Sequence, residues 1–202
     1  SFGNDKLVKF KQKNAYELSR TVAEIFIPID AIAERVSSVK YDIVDKDTNN
    51  VITPTGNLKL KLETPNPIDT LPDLIYQMMF AKLADGNSYV YTKTPDSIVN
   101  PTVDNITNIW NLDPSRTKAI LKKNISNPFL MKSVTDLIDY YRTFFFVEHD
   151  IKPRYVLHRT PLGITSSGMG LSPLFACEKN INNILAVYQA RYNVYAKNGT
   201  AG

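Results

Sequence analysis

One run near the C-terminus, GLSPLFACEKNINNILAVYQARYNVYAKNGTAG from Gly170 to Gly202, carries a start signal, a stop signal and two chemically opposite faces. Ser172 can accept from the first unpaired N–H groups of a helix, Pro173 suits the first helical position, and Asn198-Gly199 supplies a left-handed stop. The spacing predicts one helix from about Pro173 to about Lys197. At about 1.5 Å per residue this rod is about 37 Å long, well beyond the roughly dozen residues of an average globular helix. Leu174, Cys177, Ile181, Ile184, Leu185, Tyr188, Tyr192 and Tyr195 fall within roughly a third of its circumference and form the expected packing stripe. Lys179, Asn182, Asn183, Ala186, Ala190, Asn193 and Lys197 fall opposite, on a small, polar and weakly cationic face. A chain with this segment needs a body for the dry side and a use for the wet one.

The 202 residues are 43% hydrophobic, enough for one sizeable core or two modest lobes. Lys and Arg number 24 against 20 acids, a net charge of +4 that permits an anionic partner without requiring one. Lys6, Lys9, Lys11 and Lys13 crowd the start of the chain and read as a solvated terminus. Cys177 is the only cysteine, so a disulfide framework and a Cys-ligated metal cluster within one chain are excluded, and a reducing compartment fits. No apolar stretch reaches the about 18 residues that cross a bilayer, and the N-terminus lacks the apolar core of a signal peptide, so no membrane partner is expected.

Upstream, Leu18, Val22, Ile25, Ile29, Ile32 and Val36 draw one helical seam over 14–38, which Pro28 divides into two pieces. Val39 to Val44 and Val51-Ile52 read as a hairpin around the polar turn Asp45 to Asn50. Pro65-Asn66-Pro67 breaks the chain, and Thr70 with Asp73 has the spacing of a capping box opening a helix that Gly86 stops. Asn87 to Lys93 and Ile106 to Leu112 alternate as strands, the second closed by Asp113-Pro114, with a surface loop over 94–105 between them. Asp136 to Val147 suits either a short helix or an aromatic strand, Tyr155 to His158 reads as a short strand, and Thr160 to Gly170 as a flexible linker. The fold class expected is α+β: a mixed domain of helices and short antiparallel strands over 1–170, then the long C-terminal helix over 171–202.

Sites of chemistry are sparse. Gly163 and Gly168 have the spacing of a phosphate-cradling loop, but Met169 stands where such a loop needs lysine, so the segment reads as a hinge. His149 and His158 are the only histidines, too few for a three-ligand catalytic metal, and His158 reads as a hydrogen-bonded structural residue. Asp136 and Asp139 read as solvated, and Tyr140, Tyr141, Phe144, Phe145 and Phe146 as core aromatics rather than a base-stacking surface. No catalytic, cofactor-binding or metal-binding residue is assigned, and no cofactor is expected.

Several ordered pieces resemble the N-terminal half of the portal proteins of tailed bacteriophages. They are IPIDAIAERVSS from Ile27, Pro65-Asn66-Pro67 with Thr70, DGNSYVY from Asp85 to Tyr91, Leu112-Asp113-Pro114, Val156-Leu157-His158, Gly170-Leu171-Ser172-Pro173-Leu174 and the closing Asn198-Gly199. The resemblance implies a non-enzymatic ring, usually of twelve subunits, at one capsid vertex of the virion, through which double-stranded DNA passes without sequence specificity. It implies a wing over 1–170 and the first stem helix over 171–202. Lys179, Asn182, Asn183, Ala186, Asn193 and Lys197 would then turn toward the bore or a neighbouring subunit. It further implies assembly in the host cytoplasm, with the packaging motor (terminase), the capsid and the head–tail connector as partners. The sequence stops where the clip is expected, which puts the second stem helix, the channel loop and the crown outside these residues. The competing reading is a basic module that binds nucleic acid or an acidic protein through its N-terminus and aromatic run.

Overall fold

A computed structural model describes residues 9–95, 102–123, 137–144, 147–160 and 169–198. The glycine loop at Gly163 to Gly168, Asp136, Phe145, Phe146, Lys6 and the Gly199 stop lie outside the described residues. Two hydrophobic cores organise the chain, one between helices and one between sheets.

The helical core is built by α1 (Ala15–Thr21), α2 (Ala23–Ser37), α4 (Leu71–Ala84) and α5 (Glu178–Asn198). The break in the N-terminal seam falls at Val22, not at Pro28. Val22 is extended at φ −110° and ψ 112°; its N–H closes α1 onto Leu18 while its carbonyl accepts the first α2 bonds from Ile25 and Phe26. Its side chain is 3% exposed beside Leu18 and Ile25, so burial sets the break where the apolar residue can drop inward. Pro28 lies inside α2 on the solvent side, where the Glu24 carbonyl it leaves without a helical donor faces water. The seam also departs from expectation at Ile32, which is 49% exposed, because Ile25, Ile29 and Ala33 step by four instead. Ala33 on α2 and Ala81 and Ala84 on α4 are all fully buried, and these small residues let the two helices approach closely.

Helix α4 starts as its sequence predicts. The Asp73 carboxylate accepts from the Thr70 N–H at 2.9 Å and from its hydroxyl at 2.6 Å, and Thr70 Oγ1 accepts from the Asp73 N–H in return. The expected hairpin shrinks to β1 (Ile43–Val44) and β2 (Val51–Ile52), closed by the Asp45 carboxylate, which accepts from the N–H groups of Asp47 and Thr48. Helix α3 (Gly56–Glu63) is not predicted by the sequence; its alternating LKLKL carries no helical stripe and no residue of it is buried. Asn57 pins it by donating to the carbonyls of Val103 and Ile106.

The second core lies between two three-stranded antiparallel sheets. One has the order β4 (Asn108–Leu112), β3 (Ser88–Lys93), β8 (Val156–Arg159); the other runs β5 (Thr117–Leu121), β6 (Ile138–Phe144), β7 (Glu148–Ile151). Tyr89, Leu112 and Val156 from the first meet Ile138, Tyr141 and Ile151 from the second. Within the ambiguous stretch over 136–147, Ile138–Phe144 is thus strand β6. Its alternation is broken because the register shifts between Ile120 and Leu121: Tyr140 pairs with Ile120 and Ile138 with Leu121, which leaves Asp139 unpaired and exposed.

Candidate functional site

Three motifs separated by dozens of residues converge where α4 ends and the C-terminal helix begins. Gly86 ends α4 at φ +86°, and its N–H closes on the Lys82 carbonyl at 3.1 Å. The segment at Gly170-Leu171-Ser172 crosses directly over it. A Cβ on Gly86 would lie 2.3 Å from the Leu171 carbonyl, and one on Gly170 would lie 2.1 Å from the Gly86 oxygen, so both positions require glycine.

Asn87, fully buried, is the hub. Its Nδ2 donates to Asp85 Oδ1 at 2.6 Å and to the Gly170 carbonyl at 3.2 Å, while its Oδ1 accepts from the Gly170 N–H and from His158 Nε2, the latter at 2.9 Å. Because an amide oxygen only accepts, His158 carries its proton on Nε2. Two residues past Gly170, Ser172 donates to the Ala84 carbonyl at 2.7 Å and accepts from the Leu174 N–H at 3.2 Å. These bonds fix where the helix starts. They also correct its onset: Pro173–Cys177 is a 3₁₀ turn, and the α-helix begins at Glu178.

Burial governs the electrostatics of this joint. Desolvation pushes the Asp85 carboxyl up to about 6 and the His158 imidazole down to about 4. His158 also stacks against Tyr89, with ring centroids 4.4 Å apart, and Tyr89 reaches Met169. The buried His158 Nδ1 and Tyr141 Oη have no hydrogen-bond partner among the described residues. The acid and the imidazole, both tied to one amide, brace this joint. No group of three His, Cys, Asp or Glu side chains among the described residues could hold a metal ion.

The C-terminal helix docks on the body by its first half. Ile181 and Leu185 are 4% and 3% exposed in the helical core, and Leu174, Ile184 and Tyr188 pack against it half-buried. Tyr188 Oη donates to the Glu24 carboxylate at 2.6 Å, which holds that carboxyl below its usual range. Cys177, Tyr192 and Tyr195, expected on the packing stripe, are instead exposed, Tyr195 at 77%. From Ala190 to Ala196 every side chain is exposed, because the body ends there and the rod continues past it.

On the opposite face, Lys179, Asn183, Ala190 and Asn193 are exposed and Ala186 is half-buried. Asn182 departs from that face: its Oδ1 accepts from the Phe10 N–H at 2.8 Å and ties the N-terminal segment to the helix. Lys197 falls within α5, and its side chain lies outside the described residues. Tyr141 is sealed in the sheet core, which removes it from any base-stacking surface. The sequence singled out Gly170 to Leu174 and Asp85 to Tyr91 separately; the role of Asn87 as their common partner had no local signal, since it depends on a contact across 83 positions.

A family model described as phage portal protein matches residues 23–202. Among solved structures the chain is similar to a chain in the neck of an empty GTA particle computed with C6 symmetry, at 18% identity and a TM-score of 0.67, covering 96% of this chain and 49% of that one. A chain in the neck of the native GTA particle computed with C12 symmetry is similar at 17% identity and a TM-score of 0.64, covering 96% and 48%. A third, from the virion of the native gene transfer agent particle, gives 18% identity and a TM-score of 0.65 over 96% and 48%. The chain spans about half the length of these structures. No curated protein sequence matches it.

Proposed function

The chain belongs to the phage portal protein family, and on that premise we propose that it is a structural subunit of a ring at the capsid vertex, a conduit for double-stranded DNA without catalysis of its own. The wing comprises residues 1–170 and the first stem helix 171–202. The ring is a dodecamer of the longer protein, assembled in the host cytoplasm and retained in the virion. Its partners are the packaging motor, the capsid shell and the head–tail connector, and DNA moves through it during packaging and ejection.

One observation carries this reading: α5 buries Ile181 and Leu185 against its own body, exposes Lys179 and Asn183 on the opposite side, and runs on past the core. A face of amides and small residues with few cations suits a surface along which DNA slides, because dense phosphate contacts would hold the duplex in a salt-dependent grip. Asn183, Asn193, Lys179 and Lys197 would face the bore, with Ala186 on the flank toward a neighbouring subunit.

The test uses the longer protein that contains this sequence. Class-averaged electron micrographs should show a ring with a central hole. In a Cys177→Ser background, Asn183→Cys should react with a thiol reagent in empty rings and be protected once DNA occupies the channel. Labelling that DNA leaves unchanged, or sub-micromolar binding to one DNA sequence, overturns the channel assignment.

A further inference from the structure

Away from the stem, an open cleft of about 820 Å³ lies where the end of the β3–β4 pair meets β7 and the turn before β8. Its volume is that of a small-molecule site, about 300–1,000 Å³. Tyr91 and Trp110 are directly paired across β3 and β4, so their rings share one face, and Tyr155 lines the same space. All three are half-buried, each keeping part of its ring surface wet.

The rim is cationic. Lys93, Lys152 and Arg154 line the cleft and are exposed, and the Arg154 guanidinium already lies 4.9 Å from the centre of the Tyr155 ring. The carboxylate on the lining, Asp150, is held by the Arg142 fork, with Nε at 2.8 Å and a terminal nitrogen at 3.0 Å. Its charge is therefore answered within the protein, and among the described residues no carboxylate forms an ion pair with Lys93, Lys152 or Arg154. Aromatic faces beside cations that no carboxylate among the described residues pairs match a planar base carrying a phosphate.

The geometry points to this cleft as a binding site for a nucleotide unit, base against Tyr91 and Trp110 and phosphate at Lys93, Lys152 and Arg154, free or in an unpaired strand. Bases of an intact duplex are stacked on each other and cannot enter. The site is separate from the stem face and does not depend on the channel reading.

Trp110 is the only tryptophan, so its fluorescence reports the cleft directly. The full chain is titrated with an oligothymidylate of about eight nucleotides, within the usual span of single-strand sites. Parallel titrations use thymidine monophosphate, a blunt hairpin duplex and inorganic polyphosphate. Saturable quenching by the oligonucleotide or by the monophosphate is expected, and whichever binds more tightly identifies the source. Lys152→Gln with Arg154→Gln, both at exposed positions, should weaken binding about tenfold and flatten its salt dependence. Tyr91→Leu should weaken it about tenfold without changing the salt slope. The site is overturned by the absence of quenching, by duplex binding as tight as the oligonucleotide's, by polyphosphate competing equally well, or by Lys9→Gln with Lys11→Gln having as large an effect as the cleft substitutions.

Discussion

At the scale of single residues, the joint depends on two glycines whose backbones touch. Gly86→Ala meets both a left-handed backbone, strained for any side chain, and the Leu171 carbonyl, which can give only if the Gly170–Ser172 segment moves. It should cost more than about 3 kcal/mol and lower the melting temperature by roughly 6–12 °C. Gly56, also at positive φ but with open space around it, isolates the backbone part, and Gly56→Ala should cost only about 1 kcal/mol. Equal losses in thermal melts would remove the close approach as the cause. The titrating pair beside these glycines acts in opposite directions. His158 sits at about 4 against an ordinary 6.5, so the unfolded chain takes the proton first; its contribution is full above pH 6.5 and is lost as pH falls through 4. Asp85 is raised from 3.8 to about 6, so its contribution is full below pH 3.8 and is lost as pH rises through 6. Asp85→Asn keeps an oxygen for Asn87 and removes the buried charge. It should stabilise the fold by about 1–2 kcal/mol at pH 7.5, an advantage that fades toward pH 4 and leaves the acid-side loss from His158 steeper than in the parent. Urea denaturation at the two pH values checks this, and a constant increment across them would refute the assignment to Asp85.

At the scale of elements, α5 divides into a docked half and a projecting half. Leu185→Ala empties a site 3% exposed in the helical core and should cost about 3 kcal/mol, whereas Tyr195→Ala, at 77% exposure, should stay within about 0.5 kcal/mol in the isolated chain. The contrast is read from denaturant midpoints of the two variants. The same division explains what the sequence makes legible. Signals completed within a few residues survive intact: the Thr70–Asp73 box, the Asp45 turn, the glycine after α4 and Ser172 with Pro173. Features decided by distant partners do not. The break at Val22 depends on a core shared with α4 and α5, the strand character of Ile138–Phe144 is hidden by a register shift, and α3 is held by carbonyls of another segment. Periodicity places Tyr192 and Tyr195 on the same stripe as Ile181, yet it cannot say where the body beneath the stripe ends. The exposed face of α5 that carries Lys179, Asn183 and Asn193 is legible for the same reason, since it needs only the helix. The departure of Asn182 from that face is not, since it needs Phe10.

At the scale of the whole molecule, the two cores are distinct in composition but share a mechanical connection. α4 contributes Phe80 and Ala84 to the helical core and runs through Gly86 and Asn87 into β3, whose Tyr89 belongs to the sheet core. Leu171 crosses the same glycine and leads through Ser172 to α5, whose Ile181 and Leu185 close the helical core. Asn87 thus bonds, within one side chain, the end of α4 through Asp85, the sheet through His158 and the approach to α5 through Gly170. This residue therefore links α5 to the sheets, and thermal unfolding should show that coupling. In the parent chain the helical signal in circular dichroism and the fluorescence of Trp110 on β4 should melt together, as two-state unfolding of one cooperative unit demands. Asn87→Ala removes the hydrogen bonds that this side chain makes to Asp85, Gly170 and His158, a loss of about 3 kcal/mol or more concentrated at the connection rather than in either core. The two signals should then separate. Ile29→Val and Ile138→Val, each a small loss inside one core, should instead lower both signals together by a few degrees. If the parent already melts in two steps, or if Asn87→Ala shifts a single transition without splitting it, the cores are coupled elsewhere and the amide hub is only a local brace.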